Sequence, residues 1–233
     1  MSAAHNRSHP GAPTLRVLAA LLAYPDARLR GHLPEMAAAL AADDVLSASR
    51  RGEIDALTRW LSGTEALEAK SAYVETFDRG RATSLYLFEH VHGDSRDRGP
   101  AMIDLAQTYE QAGLYLAPGE LPDYLPVVLE FVSTQPPRVA KAFLGEVAHL
   151  VNMIFGALLE RGSPYACVLG ALLDLAGENA RAVEMKPEPS LDESWAEPAA
   201  FDGCATAGQA RPGAPQPIRI VRDARHTTQG IKT

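Results

Sequence analysis

The stretch PRVAKAFLGEVAHLVNMIFGALLER, residues 137–161, decides the fold. Its apolar side chains recur at helical spacing in two adjacent stripes. One stripe runs Val139, Phe143, Val147, Leu150, Ile154 and Leu158; the other runs Leu144, Val151, Phe155 and Leu159. Pro137 stands at the head, where a first-turn amide has no intrahelical partner to lose. A helix of this length extends about 37 Å at the usual rise. So wide an apolar surface belongs to a central, mostly buried helix that other helices must surround.

The flanking sequence supplies those helices. Ser163 and Pro164 read as an N-cap and a first helical residue, opening a last helix through Val168, Leu169, Leu172, Leu173 and Leu175. On the other side, Pro122 and Pro126 flank Asp123 at the head of a helix with core positions Leu121, Tyr124, Leu125, Val128 and Val132. Pro100 opens another, carrying Met102, Ile103, Leu105, Ala106 and Tyr109, with Asp97 as a candidate cap and Gly113 as its end. Upstream, Thr14 is expected to cap a helix with Leu15, Val17, Leu18, Leu21 and Leu22, stopped by Pro25. Asp26 caps a second, through Leu29, Leu33, Met36, Ala37 and Leu40, with Pro34 as a weak point. A third spans roughly 52–61 and ends at Gly63; a fourth follows Thr64, with Leu67, Tyr73, Val74 and Phe77 on its apolar face. No strand pair with a hairpin turn is read anywhere. The expected fold class is all-α, a single helical bundle over 14–186 behind a flexible N-terminus, 1–13.

Composition agrees. Of 233 residues 46% are hydrophobic, mostly Ala and Leu, which enter helices at little cost, and only 6% are aromatic. The 17 prolines look hostile to helices until they are placed. Six fall in 187–233, and most of the others stand at helix starts, stops or turns. Residues 187–233 lack apolar periodicity and are expected to form a disordered tail. The net charge of −7 gives no general attraction for phosphate backbones and favours basic partners. Nearly all of it lies before residue 187, because the tail holds six acidic and five basic side chains. Two cysteines, Cys167 and Cys204, cannot make a disulfide framework or a four-ligand zinc site. No signal-peptide core is present, and no run is read as approaching the ~20 apolar residues of a membrane span. The expected location is cytoplasmic, with no nucleic-acid partner and no direct membrane insertion.

Two segments carry unusual chemistry. YVETFDRGRATSLYLFEHVHGDSRDRGPAM, residues 73–102, crowds charges around the apolar run Leu85–Phe88. His90, His92 and Asp94 invite a metal reading, and with it a helical metal-dependent hydrolase. His90 and His92 lie about 200° apart on a helix, however, and no second ligand cluster accompanies them. Two other readings stand level: a charged, capped turn built from Asp94, Arg96, Asp97 and Arg98, or a recognition groove. The second segment, ELPDYLPVVLEF, spans residues 120–131. Asp123 and Glu130, seven apart, are expected on one helix face. Capping by Asp123 and solvation of Glu130 account for them better than acid–base catalysis, because no nucleophile, oxyanion donor or phosphate loop is present. An acidic edge for a basic peptide stays open.

The 73–102 segment closely resembles the hallmark of the respiratory nitrate reductase assembly chaperones, the delta-subunit or NarJ-type branch of the TorD-like redox-enzyme maturation proteins. ELPDYLPVVLEF is similar to that superfamily's second hallmark, with Tyr124 where many members have His. LRVLAALLAYPDARL, residues 15–29, is similar to its first helix. The resemblance covers about Leu15 to Arg181 and implies an all-helical, cytoplasmic, non-catalytic chaperone without a cofactor of its own. Its implied partner is the apo catalytic (alpha) subunit of respiratory nitrate reductase, bound through its N-terminal peptide, with molybdenum-cofactor delivery proteins as further candidates. The chaperone would assist molybdenum cofactor insertion, delay membrane anchoring and be absent from the finished enzyme. A permanent structural subunit is the competing reading. A basic amphipathic helix laid in a groove would meet apolar Leu85, Phe88, Tyr124, Val128 and Phe131, and polar Glu89, His92, Asp94, Asp123 and Glu130.

Overall fold

The structure, a computed structural model, describes residues 11–93 and 95–180. The expected tail, 187–233, lies outside the described residues, as does Asp94. Nine α-helices are described: α1 (Ala12–Leu21), α2 (Ala27–Asp43), α3 (Ala48–Gly63), α4 (Ala66–Phe77), α5 (Leu87–Val91), α6 (Arg98–Gln111), α7 (Leu125–Thr134), α8 (Pro137–Glu160) and α9 (Ala166–Ala176). A short 3-10 turn, Arg81–Thr83, precedes α5. No strand occurs among the described residues beyond one isolated bridge, Tyr86 to Tyr124. The all-α expectation holds.

The helix α8 is the centre. Leu144, Leu150, Val151, Ile154, Phe155 and Leu158 are buried, and α9 packs along it. Val139 and Leu159, expected in the stripes, instead face solvent near the two ends, where no neighbour covers them. α8 also corrects the expectation that no segment is long and apolar enough to span a membrane. By length and composition it is, but half of its most apolar window is buried inside the fold. α1 is apolar on nearly every side and lies against α7, α2 and α9. An Arg16 to Ser133 hydrogen bond of 3.1 Å spans the α1–α7 contact.

Helix starts follow local capping in three cases. Asp26 Oδ1 accepts from Leu29 N at 2.8 Å, Ser47 Oγ from Arg50 N at 3.2 Å, and Glu65 from the amides of Leu67 and Glu68. Pro34 leaves α2 unbroken. Leu67, expected in the core, is 70% exposed, and Ala69 takes the buried position instead.

The head of α1 is built differently from the expectation. The helix starts two residues before Thr14, and Gly11 takes the cap position with a left-handed φ of 90°. The carboxylate that closes it comes from the far end of α2. Asp43 accepts from the Gly11 amide at 3.1 Å, the Thr14 amide at 3.2 Å and the Thr14 hydroxyl at 2.6 Å. Thr14 is fully buried, so its hydroxyl needs that partner.

An aromatic cluster joins α3, α4 and α9: Tyr165 meets Phe77 at 5.1 Å, Tyr73 at 5.9 Å and Trp60 at 6.3 Å between ring centroids. Burial pushes the Tyr165 phenol well above its ordinary range, and its hydroxyl has no hydrogen-bond partner. Two stability predictions follow from these contacts. Asp43→Ala should lower unfolding free energy by about 1–2 kcal/mol in urea titrations followed by circular dichroism. Tyr165→Phe should unfold at equal or higher urea, gaining about 1 kcal/mol by removing an unsatisfied buried hydroxyl.

Candidate functional site

The two unusual segments meet through their backbones. Leu125 N donates to the Leu85 carbonyl at 2.8 Å, and Leu87 N donates to the Asp123 carbonyl at 3.0 Å. Tyr86 and Tyr124 are therefore directly opposite each other in an antiparallel, non-hydrogen-bonded pair, where side chains stand closest. Their rings lie 5.2 Å apart at an interplanar angle of 32°. Along each strip the side chains alternate. Leu85, Leu87, Asp123 and Leu125 point inward and are buried, while Tyr86 and Tyr124 are half-buried.

Asp123 does cap a helix, but not its own. α7 begins at Leu125 with Tyr124 in the cap position and no side-chain cap bond. The Asp123 carboxylate instead accepts from Phe88 N, at 3.1 Å, in the first turn of α5. Asp123 is 0% exposed and its second oxygen has no hydrogen-bond partner. Burial raises its carboxyl above the usual carboxylate range, opposed by the Phe88 amide and by Arg98. The Arg98 guanidinium stands 3.8 Å from Asp123 and 3.7 Å from Glu89, between the two segments. The expectation that Asp123 and Glu130 share a helix face is corrected accordingly. Asp123 precedes the helix and is buried, whereas Glu130 lies on the exposed side of α7.

The remaining polar groups fix the turn. Thr83 is fully buried, and its hydroxyl donates to the Thr76 carbonyl at the end of α4. Ser84 Oγ donates to Glu89 at 2.5 Å and accepts from Tyr86 N at 3.3 Å. His90 Nε2 donates to the Ser84 carbonyl at 2.9 Å, whereas the His92 ring sits edge-on to Phe88 at 5.3 Å. The two histidines thus face different partners, and no group of three metal-ligating side chains occurs among the described residues. Tyr124 is held from behind: its hydroxyl donates to Tyr73 at 3.1 Å, and Tyr73 donates to the Leu22 carbonyl at 2.8 Å. Burial drives the Tyr73 phenol far above its ordinary range, so it stays a neutral donor.

The sequence-expected peptide contacts divide by burial. Leu85, Val128 and Phe131 belong to the hydrophobic core, at 2%, 1% and 6% exposure, and Asp123 is enclosed with them. Phe88, Glu89, His92 and Tyr124 are half-buried, and Glu130 is exposed on α7. Tyr86 lies beside Tyr124, and Arg98 stands over Glu89 and Asp123 from the head of α6; neither is among the sequence-expected contacts. The alternation of buried Leu85 and Leu87 with half-buried Tyr86, matched in Asp123, Tyr124 and Leu125, spans only three residues on each side, too few to mark Tyr86 in the sequence.

Comparison with known proteins gives a consistent family. The sequence model of the family described as "Nitrate reductase delta subunit" matches residues 43–166. The chain is 45% identical over 162 residues to the nitrate reductase molybdenum cofactor assembly chaperone NarJ of Escherichia coli (strain K12), covering 70% of this chain and 69% of that one. It is 40% identical over 181 residues to the probable nitrate reductase molybdenum cofactor assembly chaperone NarW of the same strain, covering 77% and 74%. It is 31% identical over 163 residues to the probable chaperone NarJ of Bacillus subtilis (strain 168), covering 69% and 86%.

The raised Asp123 carboxyl sets a pH dependence with a definite sign. The folded chain holds that proton more tightly than the unfolded chain, so the stability linked to it falls as pH rises above the ordinary value of 3.8. Asp123→Asn cannot titrate. Its urea midpoint should therefore improve relative to the parent as pH rises through that window, and then run parallel. A difference that is flat or moves the other way contradicts a raised carboxyl.

Proposed function

The chain belongs to the nitrate reductase delta subunit family, and we propose that it is a system-specific chaperone for the apo catalytic subunit of respiratory nitrate reductase. It binds the N-terminal segment of that subunit, assists molybdenum cofactor insertion, and delays membrane anchoring until maturation is complete. It acts in the cytoplasm, performs no catalytic step, and leaves the finished enzyme. The relatives named as cofactor assembly chaperones support this role.

One observation carries the peptide-binding part: the backbone pairing that sets Tyr86 against Tyr124 and joins the start of α5, with Phe88 and Glu89, to Asp123. Half-buried aromatic rings next to a carboxylate suit a helix that is apolar on one face and basic on its margin. The Tyr73–Leu22 relay and the Asp123 cap of α5 hold Tyr124 and α5 from within, so these groups are in position before the client arrives. Side chains already held in position lose less to ordering on binding than those of a mobile loop.

Calorimetric titration with the N-terminal peptide of the nitrate reductase catalytic subunit tests the proposal. Micromolar or tighter binding is expected. Phe88→Ala and Glu89→Lys should each weaken it by about ten-fold or more, with helicity unchanged. Asp123 makes a poor probe, because its burial couples it to folding. No binding by the parent chain at any accessible concentration would overturn the reading.

A further inference from the structure

Among the described helices, α6 has the smallest share of buried residues. Tyr109 is the sole fully buried residue of its 14, Ile103 is 59% exposed, and the helix makes no extended contact with another. Leu105 packs against the core at mid-helix, and two further fastenings hold the helix, one at each end. At its first residue, the Arg98 guanidinium stands between Glu89 and Asp123 at distances too long for hydrogen bonds. In its last turn, the Tyr109 ring lies 4.7 Å from Phe131, and its hydroxyl donates to the Pro122 carbonyl at 2.8 Å.

Those two fastenings engage three of the residues that the sequence assigns to the client: Glu89, Asp123 and Phe131. Asp123 and Phe131 are enclosed while α6 is in place. α6 also presents the chemistry expected of the client. It carries a cation at its head and a half-buried stripe, Met102, Leu105 and Ala106, leading to an aromatic ring in the last turn. We propose that α6 is an intramolecular stand-in for the client's helix: it occupies the carboxylates and the Phe131 ring, and it lifts away when a basic amphipathic helix takes its place. This rests on the chaperone reading above. The device has a physical logic, since a weakly fastened helix opens at little cost and keeps the apolar floor and the Asp123 charge out of water until a client replaces it. A client that must displace α6 binds more weakly than the bare surface would allow, and loosening α6 recovers the difference.

Native-state hydrogen exchange on the full chain, together with peptide calorimetry, tests this. The expected pattern is that α6 amides exchange together and ahead of α7 and α8 in the free protein. Tyr109→Phe and Arg98→Gln should each speed that exchange further and tighten peptide binding by about five-fold. A purely structural role for either side chain predicts weaker binding, or none gained. If α6 is protected as well as α7 and α8, or if both variants bind the peptide no more tightly than the parent, the stand-in model is overturned. If neither parent nor variants bind the peptide while α6 still opens first, the client assignment has failed and the mobile helix stands on its own evidence.

Discussion

Two backbone hydrogen bonds, between residues 85–87 and 123–125, are the constraint on which the rest of the site depends. They join segments more than thirty positions apart in a fold otherwise made of helices. Short as it is, the pairing fixes three things together. It sets Tyr86 against Tyr124, it brings the Asp123 carboxylate to the Phe88 amide of α5, and it leaves Phe88 and Glu89 half-buried. The site is a pair of turns stitched together above the bundle.

That stitch explains why an ionisable residue tolerates complete enclosure. Asp123 gives up hydration and receives one amide hydrogen bond and a distant guanidinium in return, which is poor compensation for a full charge. Its raised carboxyl is the thermodynamic trace of that imbalance. The structure keeps the group where its position matters more than its solvation. A cap reached across the fold commits α5 to one orientation, and α5 carries the surface proposed to meet the client.

Much of the bundle was legible in the sequence, because helical periodicity is long-range within a segment and proline marks its ends. α8, α9 and α3 carry their buried residues largely where the 3.6-residue period puts them. What escaped was whatever depended on a partner far along the chain. Asp43 caps a helix thirty-two positions before it, and Asp123 caps one thirty-five positions before it; local capping rules see neither. Leu67 and Val139 are apolar and rightly spaced, yet exposed, since periodicity names a face without saying whether a neighbour covers it; Leu121, expected on the same helix as Val128, precedes α7 and is exposed as well. The bridge at Tyr86 is too brief to impose a two-residue period that would stand out from its helical surroundings. The segments themselves were recognisable; their division into core and surface was a property of the assembled fold.

The place of α1 has a consequence for how the chain comes into being. Arg16 and Ser133, bonded across the α1–α7 contact, are 117 positions apart. During synthesis α1, apolar on nearly all sides, leaves the ribosome well before the helix that covers it exists. Only α2 is at hand to shield part of it, with Asp43 closing its amino end. Such late, long-separation closure slows the final collapse and gives the nascent chain its own interval of exposure. A molecule proposed to guard another protein's unfinished state passes through an unguarded one of its own.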